Sequence, residues 1–377
     1  MYKHLQGTDY AGNSIRTIQR DLRAMKFKYG VGNKLNILHD SPANIEYRKK
    51  YLQGRLSNLN ANGLPINTEV FLDESYVHLD HHSKKTWFEP GTAMREKGRK
   101  PMLVIFGAFV GFRQDNQMTF KLVENSILIW PVKGQAHIRP EVGQKRGRKS
   151  KDEELWHTMP QVVKDAQIAP DYHDYHGNFN AEIFESLFDD LCKTLQRYGS
   201  CHIHMDGAKY HVRCLNPKPN RNATRKQILE WYDANNYRLP RGARNQDLSV
   251  EKLREKVMEI DHAPTYPTYD IARKYGHQIK KTPPYHCELQ PIEKVWSMVK
   301  NRIAHDPVKD ATAGSVRTRL LEEFARIKSS DLRSIWEKTV LQCKQYQQWH
   351  SRESVDDDDQ AGVPQEFGDP EASDAEE

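Results

Sequence analysis

Cysteine is scarce in this sequence. Five occur in 377 residues (Cys192, Cys201, Cys214, Cys287 and Cys343), an odd number with no CxxC spacing. That argues against a disulfide framework and against a structural zinc finger, and it fits a reducing compartment inside the cell. Long hydrophobic runs are missing too: none approaches the roughly 18 apolar residues that a membrane span needs. The opening MYKHLQGT has no apolar core of the kind that marks a secretory leader, so none is expected. Basic residues vanish at one end. From Glu353 onward there are eleven acids and no Lys or Arg, a low-complexity stretch (353–377) expected to be disordered. Residues 1–352 therefore hold all 57 Lys and Arg against 40 acids, a net +17. A body that basic suits a polyanionic partner, most simply nucleic acid, although a basic surface kept only for solubility has the same composition.

What is present is a mixture of strand-like and helix-like segments. SIRTIQRDLRAM at 14–25 places Ile15, Ile18, Leu22 and Met25 on one stripe and Arg16, Gln19, Arg20 and Arg23 on the other, with Asn13 or Ser14 as N-cap. It reads either as a surface helix or as the last helix of a helix-turn-helix with Arg16, Arg20 and Arg23 toward DNA. EVFLDES, PMLVIFGAFV and MTFKLVENSILI then read as three consecutive strands, the second apolar throughout and so buried on both faces. A helix over NAEIFESLFDDLCKTLQRYG stops at Gly199, CHIHMDGA is a fourth strand, RKQILEWYDANN a helix, HQIKKTPPY a last strand and QPIEKVWSMVKNRIA a last helix. Three strands, helix, strand, helix, strand, helix is an α/β order, and specifically that of the ribonuclease-H-like mixed sheet flanked by helices. The stretch 240–276, with LSVEKLREKVMEI, is surplus to that order and reads as a small helical insertion.

Three acids stand where such a sheet would bring distant residues together. Asp73 is expected to close the first strand, Asp206 the fourth, and Glu293 to open the last helix. Singly, each has an ordinary explanation as a turn residue or a first-turn acid favoured by the helix dipole. In that order on those elements they could converge on one edge. Carboxylates gathered so suit hard divalent ions, Mg2+ or Mn2+, and two such ions about 4 Å apart activate and stabilise the oxygens of an in-line displacement at phosphorus. Pro283, Pro284 and Pro291 give the segment before Glu293 a rigid path, as a metal-binding carboxylate requires.

Three blocks resemble the DDE transposases of the mariner superfamily: FLDES around Asp73, HIHMDGAKYH ending at His211, and TPPYHCELQPIEKVW before the last helix. The third block is the most specific and aligns the catalytic acid with Glu293, leaving Glu288 as the upstream acid and fallback. The resemblance implies cut-and-paste DNA transposition with Asp73, Asp206 and Glu293 as ligands of two Mg2+ or Mn2+ ions. It also implies double-stranded DNA (transposon ends and target) as partner, a homodimer when active, action in the nucleus, and His211 near the site. It covers residues 69–305, with a weaker match at 14–60 to the end of a paired helix-turn-helix region. The organisation expected is a partial helix-turn-helix and linker (1–60), the catalytic domain (65–305, insertion about 240–276), a helical extension (306–352) and the acidic tail. The chain departs from the family in the 86 residues between Asp206 and Glu293, in Gly207 where Asn is common, and in the short stretch before the first acid. A catalytically silent DNA-binding protein derived from such an enzyme is the alternative, and a simple nuclease is a third.

Other signals compete. QKRGRKSK at 144–151 could place Arg146, Arg148 and Lys149 in a minor groove, act as an import signal, or be a solvated loop. The histidine clusters HLDHH, DYHDYH and CHIH invite a zinc reading, with His202 and His204 on one strand face, yet no further ligand stands at a recognisable spacing. Trp231, Trp296 and the tyrosines read as core.

Overall fold

The computed structural model describes residues 14–25, 36–79, 81, 102–115, 117–131, 158–168, 179–244, 247–305 and 311–356. Two compact units divide the chain, residues 1–41 and 42–377. In the smaller, helix α1 (Ile15–Ala24) forms as its spacing predicts, with the Ser14 hydroxyl accepting from the Thr17 N–H at 3.2 Å. Arg16, Arg20 and Arg23 are exposed, and Arg20 pairs with Asp21 at 3.2 Å.

The larger unit runs α2 (Pro42–Leu56), β1 (Thr68–His78), β2 (Met102–Gln114), β3 (Gln117–Leu122), β4 (Leu128–Pro131), α3 (Gln161–Ile168), α4 (Ala181–Leu195) and β5 (Cys201–Met205). It continues with α5 (Arg225–Ala234), α6 (Val250–Glu259), α7 (Pro267–Lys274), β6 (Gln278–Lys281), α8 (Pro291–His305), α9 (Ala313–Ala325) and α10 (Ser329–Asp356). The division falls at Ser41, not near residue 60. Helix α2 belongs to the larger unit because Tyr51 and Leu52 pack with Leu289 and Cys343.

Among the described residues one six-stranded sheet has the order β3-β2-β1-β5-β6, with β4 paired to β2. The pairs β1–β2, β2–β3 and β2–β4 are antiparallel, while β1–β5 and β5–β6 are parallel. This is the ribonuclease-H-like mixed sheet. The apolar run of β2 is central and covered on both faces, as its unbroken hydrophobicity requires. Alternation along β1 separates the two cores: Phe71 and Val77 meet Ile292, Val295 and Trp296 of α8, together with α9 and α10. Val70 and Leu72 lie on the opposite face with Phe184, Phe188 and Leu191 of α4 and Ala272 of α7.

Four expectations change. MTFKLVENSILI is two strands, β3 and β4, broken where Asn125 adopts a φ of +58° and the Ser126 hydroxyl bonds both backbone groups of Ala108 in place of a ladder partner. Asp206 therefore follows the fifth strand, and Asp73 stands within β1, which continues to His78. The helical insertion is also displaced. Its own small core joins Ala223, Ile228, Trp231, Tyr232, Ala243, Leu253 and Val257, so it begins before residue 240. Helix α7 packs on the sheet as the crossover that leads into β6. Helix α10 extends to Asp356, and residues 357–377 lie outside the described residues.

Candidate active site

Strand pairing brings the first two acids together. In the β1–β5 register Phe71 lies beside His204, and two residues further along each chain stand Asp73 and Asp206. Adjacent strands lie about 4.8 Å apart. Glu293 comes from the first turn of α8, three residues before Trp296 and thus on the same helix face. Asp73, Asp206 and Glu293 all line one cavity of about 290 Å³, walled by Thr282, Pro283, Pro284 and Gln290.

The segment before α8 is pinned at several points. The Thr282 N–H and hydroxyl both donate to the Met205 carbonyl (2.8 and 3.2 Å), tying it to the residue before Asp206. Arg55 of α2, fully buried, donates to the Leu289 carbonyl at 2.9 Å. Tyr285 sits at a φ of +62°, a left-handed conformation that a bulky side chain rarely adopts, and it is held between these anchors. Arg48 donates to Nε2 of His286 at 3.1 Å, which leaves Nδ1–H to donate to Glu288 at 2.8 Å. Tyr346 donates to the same Glu288 oxygen at 2.8 Å. Glu288 is thus spent on holding the elbow to α10, and it does not line the cavity.

Trp296 does more than fill the core. Its indole N–H donates to Asp73 Oδ2 at 3.1 Å, fixing the carboxylate relative to α8. The ring has room because the residue opposite Asp73 on β2 is Gly107. A Cβ there would meet the Trp296 ring at 3.0 Å and Ile127 at 2.5 Å. On the other side, His211 is buried between two carboxylates, with Nδ1 2.5 Å from Asp206 and Nε2 3.0 Å from Glu74. Both ring nitrogens donate, so the imidazole is a cation. Burial opposes this, but the Glu74 charge and the Asp206 bond outweigh it and push the His211 pKa up to about 10.

The acids repel one another. Burial first, then the charges of Glu74, Glu293 and Asp206, hold Asp73 well above the usual carboxylate range. Burial also raises Glu293, with Asp206 adding to it and Lys300 pulling the other way. Asp206 is lowered despite burial, because His211 and the Ala208 N–H at 3.1 Å stabilise its anion. Lys300, half-buried two turns along α8, has a lowered pKa from burial, which Glu293 and Asp73 offset in part. Three oxygen-donor groups crowded against mutual repulsion are what a divalent cation would relieve, and a donor set of carboxylates suits Mg2+ or Mn2+. The residues fit such ions.

Sequence reasoning overlooked Glu74, Gly107 and Lys300. For Glu74 the signal was present: adjacent acids in a strand must face opposite sides of the sheet, so Asp73 and Glu74 could not share a role. His202 and His204 are no zinc pair. His204 is buried, with Nδ1 bonded to Tyr51 at 2.9 Å and its ring stacked on Phe71. Arg146, Arg148, Lys149 and the DYHDYH cluster lie outside the described residues.

No family model matches the chain, and no curated protein matches it in sequence. Among solved structures it is similar to the Mos1 mariner paired end complex with Mn, at 13% identity and a TM-score of 0.45, covering 89% of this chain and 69% of that one. It is similar to the Mos1 transposase paired-end complex with left transposon end at 13% identity and 0.45, covering 92% and 76%. A structure of the Mos1 transposase catalytic domain with Raltegravir and Mg matches at 13% identity and 0.35, covering 82% and 98%.

Proposed function

We propose that this chain is a DDE-type transposase of the mariner superfamily kind, cutting DNA at transposon ends and joining the freed ends to target DNA. The observation that carries the reading is the convergence of Asp73, Asp206 and Glu293 on one cavity, from three distant segments whose motifs resemble that family.

In this reading Asp73, Asp206 and Glu293 hold two Mg2+ or Mn2+ ions. When bound, such ions activate the attacking oxygen and stabilise the leaving oxygen of an in-line displacement at phosphorus. The chain's own residues do the positioning. Trp296 orients Asp73, and His211 keeps Asp206 ionised and fixes the side chain that its own half-exposed position would otherwise leave free. Glu74 holds His211 protonated. Lys300 moderates the charge of the metal-free cluster. The net +17 of residues 1–352 supplies salt-sensitive affinity for duplex DNA. The exposed Arg16, Arg20 and Arg23 of α1 form one phosphate-binding face, and Arg146, Arg148 and Lys149 belong to a second basic segment. A homodimer as the active form and the nucleus as the place of action complete the proposal.

The test is a labelled duplex incubated with the protein in Mg2+ or Mn2+, beside Asp206→Ala. Metal-dependent cleavage and end-joining by the parent, lost in the variant, support the proposal. Equal cleavage by both proteins overturns it, and binding without cleavage by the parent replaces it with a silent DNA-binding protein.

A further inference from the structure

Beside the catalytic cavity lies a second concavity, of about 300 Å³, between α2 and the edge strand β6. Tyr47 and Lys50 form one wall, and His202, Lys280 and Lys281 the other. Among the described residues no carboxylate lines it. Among the described residues Lys50 reaches Glu46 on its own helix, at 3.7 Å in an exposed pair, and Lys280 donates to the Gln278 side-chain oxygen at 3.1 Å. Exposed pairs of that kind hold a charge weakly. Three lysines from two elements thus line a concavity whose described lining residues include no carboxylate, a charge balance that suits an anionic occupant.

Lys281 joins this groove to the catalytic cavity. It ends β6, and the next residue, Thr282, begins the cavity wall. Its side chain crosses Gly207: a Cβ at that position would stand 3.1 Å from Lys281 Cδ and 3.3 Å from Cε. Its ammonium lies 5.7 Å from the centre of the Tyr47 ring. The glycine after Asp206 is therefore the space that the lysine occupies. An aromatic ring beside several cations is the usual makeup of a single-strand track.

We propose that this groove carries the backbone of one DNA strand as it leaves the catalytic cavity, with Lys281 gripping the phosphate at the junction. The proposal rests on the DNA-cleaving reading above and names the path of its substrate.

The test is the salt dependence of binding by the full chain, in EDTA, to an end-labelled duplex carrying a single-stranded extension. Each single-strand phosphate contact contributes about 0.7 to the slope of log affinity against log salt. Lys281→Gln should lower the slope by about 0.7, and Lys50→Gln with Lys280→Gln by about 1.4. Lys338→Gln, on the exposed side of α10, should leave it unchanged. Gly207→Asn, which displaces the lysine but keeps its charge, should lower the slope by no more than Lys281→Gln does, and the two together should lose no more than Lys281→Gln alone. Unchanged slopes in the groove variants, an equal loss with Lys338→Gln, an equal loss on a blunt duplex, or additive losses at Gly207 and Lys281 would each overturn the proposal. If the parent binds but does not cleave in Mg2+, the reaction proposed above falls while the slopes still test the groove. If it cleaves and the slopes do not move, the groove alone falls.

Discussion

Trp296 and Asp73, 223 residues apart in sequence, are joined by an indole N–H donated to a carboxylate at 3.1 Å. That bond links the helix bearing Glu293 to the strand bearing Asp73, and Gly107 leaves the space for it. Trp296→Phe should lower stability by about 1–3 kcal/mol in denaturant melts, from the lost bond and the smaller ring. Gly107→Ala should cost a similar 1–3 kcal/mol through overpacking. Both should slow single-turnover cleavage under conditions where the protein is fully folded. A variant with full cleavage rate would show that the indole only fills space.

Removing the imidazole between Asp206 and Glu74 leaves two carboxylates facing each other without a cation. His211→Ala should reduce cleavage about 10–100-fold, the range found when the group orienting a metal ligand is lost. It should also destabilise the fold. Adding Glu74→Gln should recover part of the lost stability, because one of the repelling charges is gone. Strict additivity of the two substitutions in thermal melts would contradict the bridging geometry.

Glu288 and Glu293 should separate cleanly. Glu293→Gln removes a like charge from a crowded cluster, so the metal-free protein should melt at the same or a higher temperature, while Mg2+ no longer raises its midpoint and cleavage is abolished. Glu288→Gln weakens the bonds from His286 and Tyr346 and should lower the melting temperature while the Mg2+ response persists. The reverse pattern would exchange their roles.

Acid should weaken the fold through Glu69. Burial alone would raise its pKa, but His204 at 3.6 Å, Arg55 at 3.9 Å and the Trp336 indole N–H at 2.6 Å hold it down to about 2. A carboxylate with a depressed folded pKa contributes stability that is complete above its unfolded value of about 4.3. That contribution, up to about 3 kcal/mol, is lost as pH falls from there toward 2. Denaturant midpoints measured across this window should drop in the parent, and the drop should shrink in Glu69→Gln. Identical pH profiles would rule Glu69 out as the acid-sensitive group.

Local chain chemistry made much of this legible. The helices at 15–24, 181–195 and 291–305 follow from apolar residues recurring at three and four, and β2 from an unbroken apolar run. The break between β3 and β4 escaped notice because a left-handed Asn and a serine bonding a distant strand carry no periodic signature. The insertion was misplaced for a related reason: the helix that packs on the sheet and those that pack on each other have the same amphipathic pattern.

By itself the sequence determined which elements form, their order, and which acids stand on them, since propensity and periodicity act over a few neighbouring residues. Only tertiary structure decided that Glu293 faces the cavity while Glu288 turns to Tyr346, that His211 bridges Asp206 and Glu74, and that Gly107 makes way for Trp296. Those choices depend on strand register and on which helix face meets which strand, and contacts across hundreds of residues leave no trace in any short window of the chain.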